Sequence, residues 1–314
     1  MSYFLIFATA CAITFLITPS IRYFALRYSI MDRKGERKIH DKVVTRFGGF
    51  AIYLGFVYAM ITAFYTEPSI GGANFQLFRK IMLASTLVMI LGIYDDVRGA
   101  NRWTKIAVQV LAALILIRVG LMIRIVSNPF GNPIHLGMFS GVVTVLWLVG
   151  VTNAINLIDG LDGLAAGIVF FCSLGLFFVL TVSGQYMPAF YAMALAGACL
   201  GFLRYNFTPA QIFMGDTGSM FLGFSIAALA ILARRKATTS IMLLVPIIGL
   251  GVPILDTGMA FFRRLIRGTS PFKPDKEHIH HRLLGLNLTP KRVVIILLTI
   301  TACLNVIACL LIYL

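Results

Sequence analysis

Long apolar runs alternate along this chain with short polar interruptions. Ten runs are long enough to cross a bilayer as helices, each needing about 20 residues. They cover roughly 3–21, 48–66, 77–94, 104–123, 139–157, 164–183, 187–203, 217–233, 240–258 and 292–313. No internal repeat, low-complexity tract or linker divides them. The pattern therefore predicts an all-α polytopic membrane protein of about ten transmembrane helices, with residues 1–314 forming a single domain. The first run has no small-residue cleavage site after it and reads as a retained helix rather than a removed signal.

Composition agrees with that pattern. Hydrophobic residues make up 59% of the chain and charged residues 12%, against about 25% charged in a soluble domain. The formal charge of +15 would suggest nucleic acid on a soluble chain. On a membrane chain, basic loops set orientation and sit beside anionic headgroups, so no nucleic-acid partner is expected. Counting from the N-terminus, the odd loops (22–47, 95–103, 158–163, 204–216 and 259–291) and their flanks hold 20 of the 27 Lys and Arg. Those loops are expected in the cytoplasm, and ten spans then put both termini outside. The five cysteines lie within apolar runs, without the spacing of a disulfide framework or a zinc site.

Acidic residues contribute little to orientation, so their placement is free to reflect chemistry. Eleven of the twelve lie on or beside the odd loops, and only Glu67 does not. Asp95, Asp96, Asp159, Asp162, Asp216 and Asp256 stand at the ends of predicted spans. In IYDDVRGANRWTK (93–105) two adjacent carboxylates need a cation or a proton nearby. Arg98, Arg102 and Lys105 are at hand, and a salt-bridged loop would account for the same residues. In NAINLIDGLDGLAAG (153–167) Asn153, Asn156, Asp159 and Asp162 recur every three residues, which would line one helical face with oxygen atoms. Glycines at 160 and 163 allow close approach of a ligand. Such a row suits Mg²⁺, which binds one or two carboxylates and keeps water or phosphate oxygens. In RYNFTPAQIFMGDTGSMFLGF (204–224) Asp216 stands at a helix entrance, where free N–H groups favour phosphate. Simple N-capping by Asp216 is the plainer alternative.

The last odd loop brings together His278, His280, His281 and Arg282. The H-x-H-H spacing lacks the i, i+4 pairing of a helical zinc site, and histidine beside arginine suits sugar hydroxyls and phosphate oxygens. Together the loops point to phosphoryl transfer between a soluble phosphorylated donor and a lipid phosphate, at one membrane face. An ion-coupled transporter would also use Asp and Asn in broken helices, but near the bilayer midplane and in paired halves.

Five segments carry a resemblance to a known family: H40-DKVVTRFGG, D95-D96-VRGANRWTK, N153-AINLIDGLDGLAAG, N206-FTPAQIFMGDTGS and H278-IHHR. In this order, across nearly the whole chain, they resemble the polyprenyl-phosphate N-acetylhexosamine-1-phosphate transferases of glycosyltransferase family 4. The resemblance implies a magnesium ion (or Mn²⁺ in its place) on Asp216 and Asn156. It implies Asp95 and Asp96 near the acceptor phosphate, one as base or orienting group, and Lys105 facing phosphate. Asn206 and Phe213 match positions that hold and stack uracil, and Asp159 and Asp162 match positions near the nucleotide. His278, His280, His281 and Arg282 would meet the pyrophosphate and the amino sugar, with His40 and Arg46 as weaker matches. The peptidoglycan branch typically has three consecutive histidines where this chain reads HIHHR. The departure resembles instead the branch that moves GlcNAc-1-phosphate from UDP-GlcNAc to undecaprenyl phosphate in a bacterial inner membrane, and it leaves room for a homodimer. The UDP-MurNAc-pentapeptide donor remains the alternative.

Overall fold

The computed structural model describes residues 2–28, 30, 44–67, 73–126, 131–234, 245–266 and 279–311. Twelve helices are seen among them: α1 (Ser2–Arg27), α2 (Gly48–Thr66), α3 (Ala73–Arg98), α4 (Arg102–Arg118), α5 (Ser140–Ile158), α6 (Leu164–Val182), α7 (Tyr186–Asn206), α8 (Gly215–Arg234), α9 (Val245–Gly249), α10 (Gly251–Ile266), α11 (Ile279–Leu284) and α12 (Pro290–Leu310). A 3₁₀ turn (Gly137–Phe139) and four two-residue strands complete the secondary structure of the described residues: β1 (Thr45–Arg46), β2 (Ile125–Val126), β3 (Ile134–His135) and β4 (Ile212–Phe213). The protein is an all-α polytopic membrane protein, with eight helices long and apolar enough to cross a bilayer among the described residues.

α8 is the axis of the bundle. Almost all of it is buried, and α2, α3, α5, α6 and α7 pack around it. Backbone-to-backbone approach makes this possible. A Cβ on Gly49 would run into the backbone of Gly218, one on Gly92 into Asp216 and Thr217, and one on Gly223 into Thr152. In a bilayer, where lipid tails are as apolar as leucine, such small-residue contacts supply much of the helix association.

Two predicted spans look different in the structure. The run 104–123 is helical only to Arg118, because Gly120 takes φ +78° and turns the chain toward β2. The run predicted over 240–258 is not one helix. α9 ends at Gly249, and α10 begins at Gly251 and continues to Ile266, into the predicted loop 259–291. The cause lies in the sequence. Pro253 has no N–H to offer the carbonyl four residues back and would clash with it. The Gly249 carbonyl accepts instead from the Cys172 thiol at 3.1 Å and the Asn305 amide at 3.3 Å. An unsatisfied carbonyl at this depth would cost several kcal/mol, so α6 and α12 stabilise the break.

Helix starts are fixed by identifiable caps. The Asn101 side chain accepts from the Trp103 N–H (3.2 Å) at the start of α4, and Thr289 accepts from the Arg292 N–H (3.4 Å) ahead of Pro290 in α12. β1 and β4 pair in parallel, Thr45 with Ile212 and Arg46 with Phe213. This short ladder brings the first interhelical connection to the entrance of α8. The ends of α3, α5 and α7 and the starts of α4, α6 and α8 thus meet at one end of the bundle.

Candidate active site

The centre of that end is an ammonium shared by two carboxylates. Lys105 Nζ, from the first turn of α4, lies 2.5 Å from Asp95 Oδ2 and 2.5 Å from Asp216 Oδ2. All three side chains keep a modest opening, between 13% and 25% of their surface. Asp95 is held further by the Ala100 N–H on its other oxygen. The Asn156 amide nitrogen, at the end of α5, donates to Asp216 Oδ1 (3.0 Å) and to the Ser219 hydroxyl (2.8 Å). Four helices therefore converge on one carboxylate.

Asp96 has a different task. Its Oδ1 accepts from the Asp216 N–H at 2.9 Å, and its Oδ2 from the Thr217 N–H (2.9 Å) and the Thr217 hydroxyl (2.6 Å). The first N–H groups of a helix have no intrahelical partners. Here they are capped by a side chain from α3, 120 residues earlier in the chain. Gly215 makes the approach possible. Its φ is +71°, and a Cβ there would meet the Asp96 carboxylate. The plainer alternative for Asp216 does not hold: its side chain faces Lys105 and Asn156 rather than capping its own helix. The cap comes from Asp96.

The oxygen row expected over 153–162 also divides. α5 stops at Ile158, so the three-residue spacing does not continue as one face. Asn153 donates to the buried Gln109 side chain (2.7 Å) and to the Val149 carbonyl (2.8 Å). Asp162 turns back to accept from the Ala210 N–H at 2.9 Å. Asp159 remains with the centre. Burial and the neighbouring carboxylates of Asp216 and Asp96 push its pKa well above the ordinary carboxylate range, against the opposing charge of Arg46. Asn206, expected to hold uracil, is buried and turned onto the chain. Its oxygen accepts from the Gly163 N–H and its nitrogen donates to the Ile212 carbonyl, both at 3.0 Å. It clamps the α5–α6 connection to β4 and so sets the position of Phe213, which is half-buried beside Arg46.

His281 and Arg282 are exposed on α11. That short helix is pinned to α10 by the buried carboxylate of Asp256, which accepts from the Ile279 N–H at 2.7 Å. Asp256 was legible only as an acid at a span end, with no motif to assign it a role. His40, His278 and the side chain of His280 lie outside the described residues.

The donor set fits a hard divalent cation. Asp216 supplies carboxylate oxygens, and Asn156, whose amide nitrogen faces Asp216 Oδ1 here, would offer its own oxygen once the amide is turned over. Among the described residues no group of three His, Cys, Asp or Glu forms a protein-only cage. Mg²⁺ suits that arrangement, because it keeps water and takes phosphate oxygens for its remaining positions.

A membrane-embedded helical bundle, with a cation-bridged acidic centre at the end of its central helix, is an integral membrane enzyme built for phosphate chemistry. The comparisons make the class specific. The family model for glycosyl transferase family 4 matches residues 78–234, and the chain belongs to that family. It is 39% identical over 285 residues to a probable undecaprenyl-phosphate N-acetylglucosaminyl 1-phosphate transferase of Bacillus subtilis, covering 90% of this chain and 77% of the relative. It is 36% identical over 313 residues to a decaprenyl-phosphate N-acetylglucosaminephosphotransferase of Mycolicibacterium smegmatis, covering 92% and 77%. A phospho-N-acetylmuramoyl-pentapeptide-transferase of Streptococcus mutans is 29% identical over 298 residues, covering 88% and 87%.

Proposed function

We propose that this protein transfers N-acetylglucosamine 1-phosphate from UDP-GlcNAc to undecaprenyl phosphate, releasing UMP and forming a lipid-diphosphate sugar. The observation that carries the reading is the Lys105 ammonium between Asp95 and Asp216, partly open at the start of α8. The relatives with the higher identities are named for GlcNAc-phosphate transfer, which favours this donor over the muramoyl-pentapeptide. The expected setting is a bacterial inner membrane, with ten membrane segments, both termini outside and the site facing the cytoplasm. Among the described residues Arg46, Arg98, Arg102 and Arg204 stand at the site's end of the bundle, which supports that orientation.

In the reaction, an oxygen of the lipid phosphate attacks the sugar-bearing phosphorus of the donor. The bond from that phosphorus to the bridging oxygen breaks, and UMP leaves with the electron pair. Second phosphate pKa values lie near ~6, so the nucleophile is already ionised at neutral pH. No side chain has to remove its proton. Asp95 then serves by holding Lys105, and Lys105 by donating to phosphate oxygens. Asp216 and Asn156 would hold Mg²⁺, which when bound supplies positive charge against the diphosphate. Asp96 fixes the turn that presents Asp216. Asp159, Asp162, Phe213 and Arg46 frame the nucleotide side, with Asn206 supporting Phe213 from behind. His278, His280, His281 and Arg282 are proposed for the sugar and pyrophosphate, and a homodimer remains compatible with the lipid-facing helices.

The test is UMP release by purified protein with undecaprenyl phosphate and Mg²⁺, comparing UDP-GlcNAc, UDP-GalNAc and UDP-MurNAc-pentapeptide. Release with UDP-GlcNAc alone is expected. Release only with the pentapeptide donor would keep the chemistry and overturn the branch. No release with any donor, together with solute uptake into vesicles, would point to a transporter.

A further inference from the structure

We propose that the end of the bundle opposite the acidic centre holds a binding site for the phosphate headgroup of a membrane lipid. A shallow groove of about 590 Å³, largely open to its surroundings, lies there, lined by Met122, Arg124, His135, Met138, Ser140 and Gly141 among others. It lies between the exit of α4 and the start of α5. Lys105 and Asn156 mark the other ends of the same two helices. At 1.5 Å per residue, the 19 residues of α5 span about 28 Å, close to the ~30 Å of a hydrocarbon core. The groove therefore sits at the far membrane interface, well separated from the reaction.

Its chemistry is that of an amphipathic anion. Arg124 is exposed, and a guanidinium fork matches phosphate oxygens two at a time. His135 adds a ring N–H from the neighbouring strand. The β2–β3 ladder joins the segments that carry them: His135 pairs with Ile125, and the Leu136 N–H donates to the Arg124 carbonyl at 2.9 Å. No carboxylate is among the lining residues. The floor is the start of α5, where the Ser140 hydroxyl donates to the Gly137 carbonyl at 2.7 Å. The lip is apolar. Met138 is 89% exposed and Phe139 62%, a position that exposes them to acyl chains. A free anion would use only the basic half of this groove, and a phospholipid uses both halves. The volume falls in the ~300–1,000 Å³ range of small-ligand pockets. Gly141 faces open space, where an added Cβ would meet nothing within 4 Å, so the groove can be filled without moving the fold.

The experiment is a titration of the purified full-length protein with phosphatidylglycerol in detergent, read by native mass spectrometry. Diacylglycerol, which lacks the phosphate, is the control for the apolar lip, and inorganic phosphate is the competitor. The variants are Arg124→Gln with His135→Gln, and separately Gly141→Leu. Elution as a single species and UMP release at the wild-type rate confirm that each is folded. The expected result is one tightly held phosphatidylglycerol, no comparable diacylglycerol, about 10- to 100-fold weaker binding in Arg124→Gln/His135→Gln, the loss of roughly one charge-assisted bond, and weaker binding in Gly141→Leu, whose side chain fills the groove. Unchanged phosphatidylglycerol affinity in both variants would overturn the proposal. Displacement of the lipid by inorganic phosphate at equal affinity would overturn the lipid assignment in favour of a free anion. The lipid titration stands whether or not the donor sugar is the one proposed.

Discussion

Replacing Asp96 by Asn separates a capping role from a catalytic one. The carboxylate accepts three hydrogen bonds at the start of α8, at 2.9, 2.9 and 2.6 Å. An amide keeps one accepting oxygen. If that oxygen stays on Thr217, the NH₂ group faces the Asp216 N–H and that bond is lost. A hydrogen bond to a charged group contributes about 1.5–3 kcal/mol, and an anion at a helix N-terminus adds about 0.3–1 kcal/mol. The variant should therefore lose about 2–4 kcal/mol, felt in the turn that carries Asp216. Two assays on the same preparation decide the matter: thermal unfolding in detergent, and UMP release across pH. With Asp96 as cap, unfolding temperature and turnover fall together and the pH profile keeps its shape. Thr217→Val should reproduce part of the loss, and the double variant should show coupling of about 1 kcal/mol or more, as residues sharing a hydrogen bond do. An Asp96→Asn protein with wild-type unfolding, residual turnover far below wild type and a missing acidic limb in its pH profile would refute the capping argument and restore Asp96 as a base.

Other substitutions test the neighbouring parts. Asp216→Ala should abolish metal-dependent UMP release, and near-normal activity would remove the metal assignment. Lys105→Met leaves Asp95 and Asp216 facing each other without their shared cation, so turnover should fall at least 100-fold. Lys105→Arg should recover little of it, since a planar fork does not replace a point donor between two oxygens. Gly215→Ala puts a Cβ against the Asp96 carboxylate at φ +71° and should resemble Asp96→Asn in both assays. Asn206→Ala frees the Gly163 N–H and the Ile212 carbonyl, so binding of the uridine donor should weaken along with stability, measured by KM and by unfolding. The raised pKa of Asp159 means that folding favours its protonated form. Stability from this group is present at low pH and is lost as pH rises through the raised value. Asp159→Asn should therefore unfold at a higher temperature than the parent at neutral pH, with the difference shrinking as pH falls.

Much of the site was legible because spacing and residue type coincide there with a membrane boundary. Asp95, Lys105, Asn156 and Asp216 are separated by up to 121 residues, yet each ends or begins an apolar run on the same predicted face. The helix order alone brings them together. What local sequence could not show was how adjacent residues divide their tasks. Asp95 and Asp96 are neighbours of one type, but on α3 they diverge by about 100°, so one meets a lysine and the other a helix start. The row at 153–162 failed as a single face because α5 ends four residues before Asp162. The broken segment near Gly249 was marked by Pro253, but the groups that satisfy its carbonyl come from α6 and α12. Only tertiary packing could supply them. Asn206 looked like a ligand-binding amide, and its two backbone partners are visible only once α5–α6 and β4 are adjacent.

The capping of α8 from α3 bears on how the protein is made. The acid that defines the start of α8 is carried by α3, five helices earlier in the chain. Until α8 is synthesised and packs, Asp96 has no N–H groups to receive and Asp216 has not been positioned. A nascent or truncated chain ending within α7 would thus hold half of the machinery in an inactive form. The arrival of α8, the most deeply buried helix, seats the Asp96 carboxylate and positions Asp216 in one event.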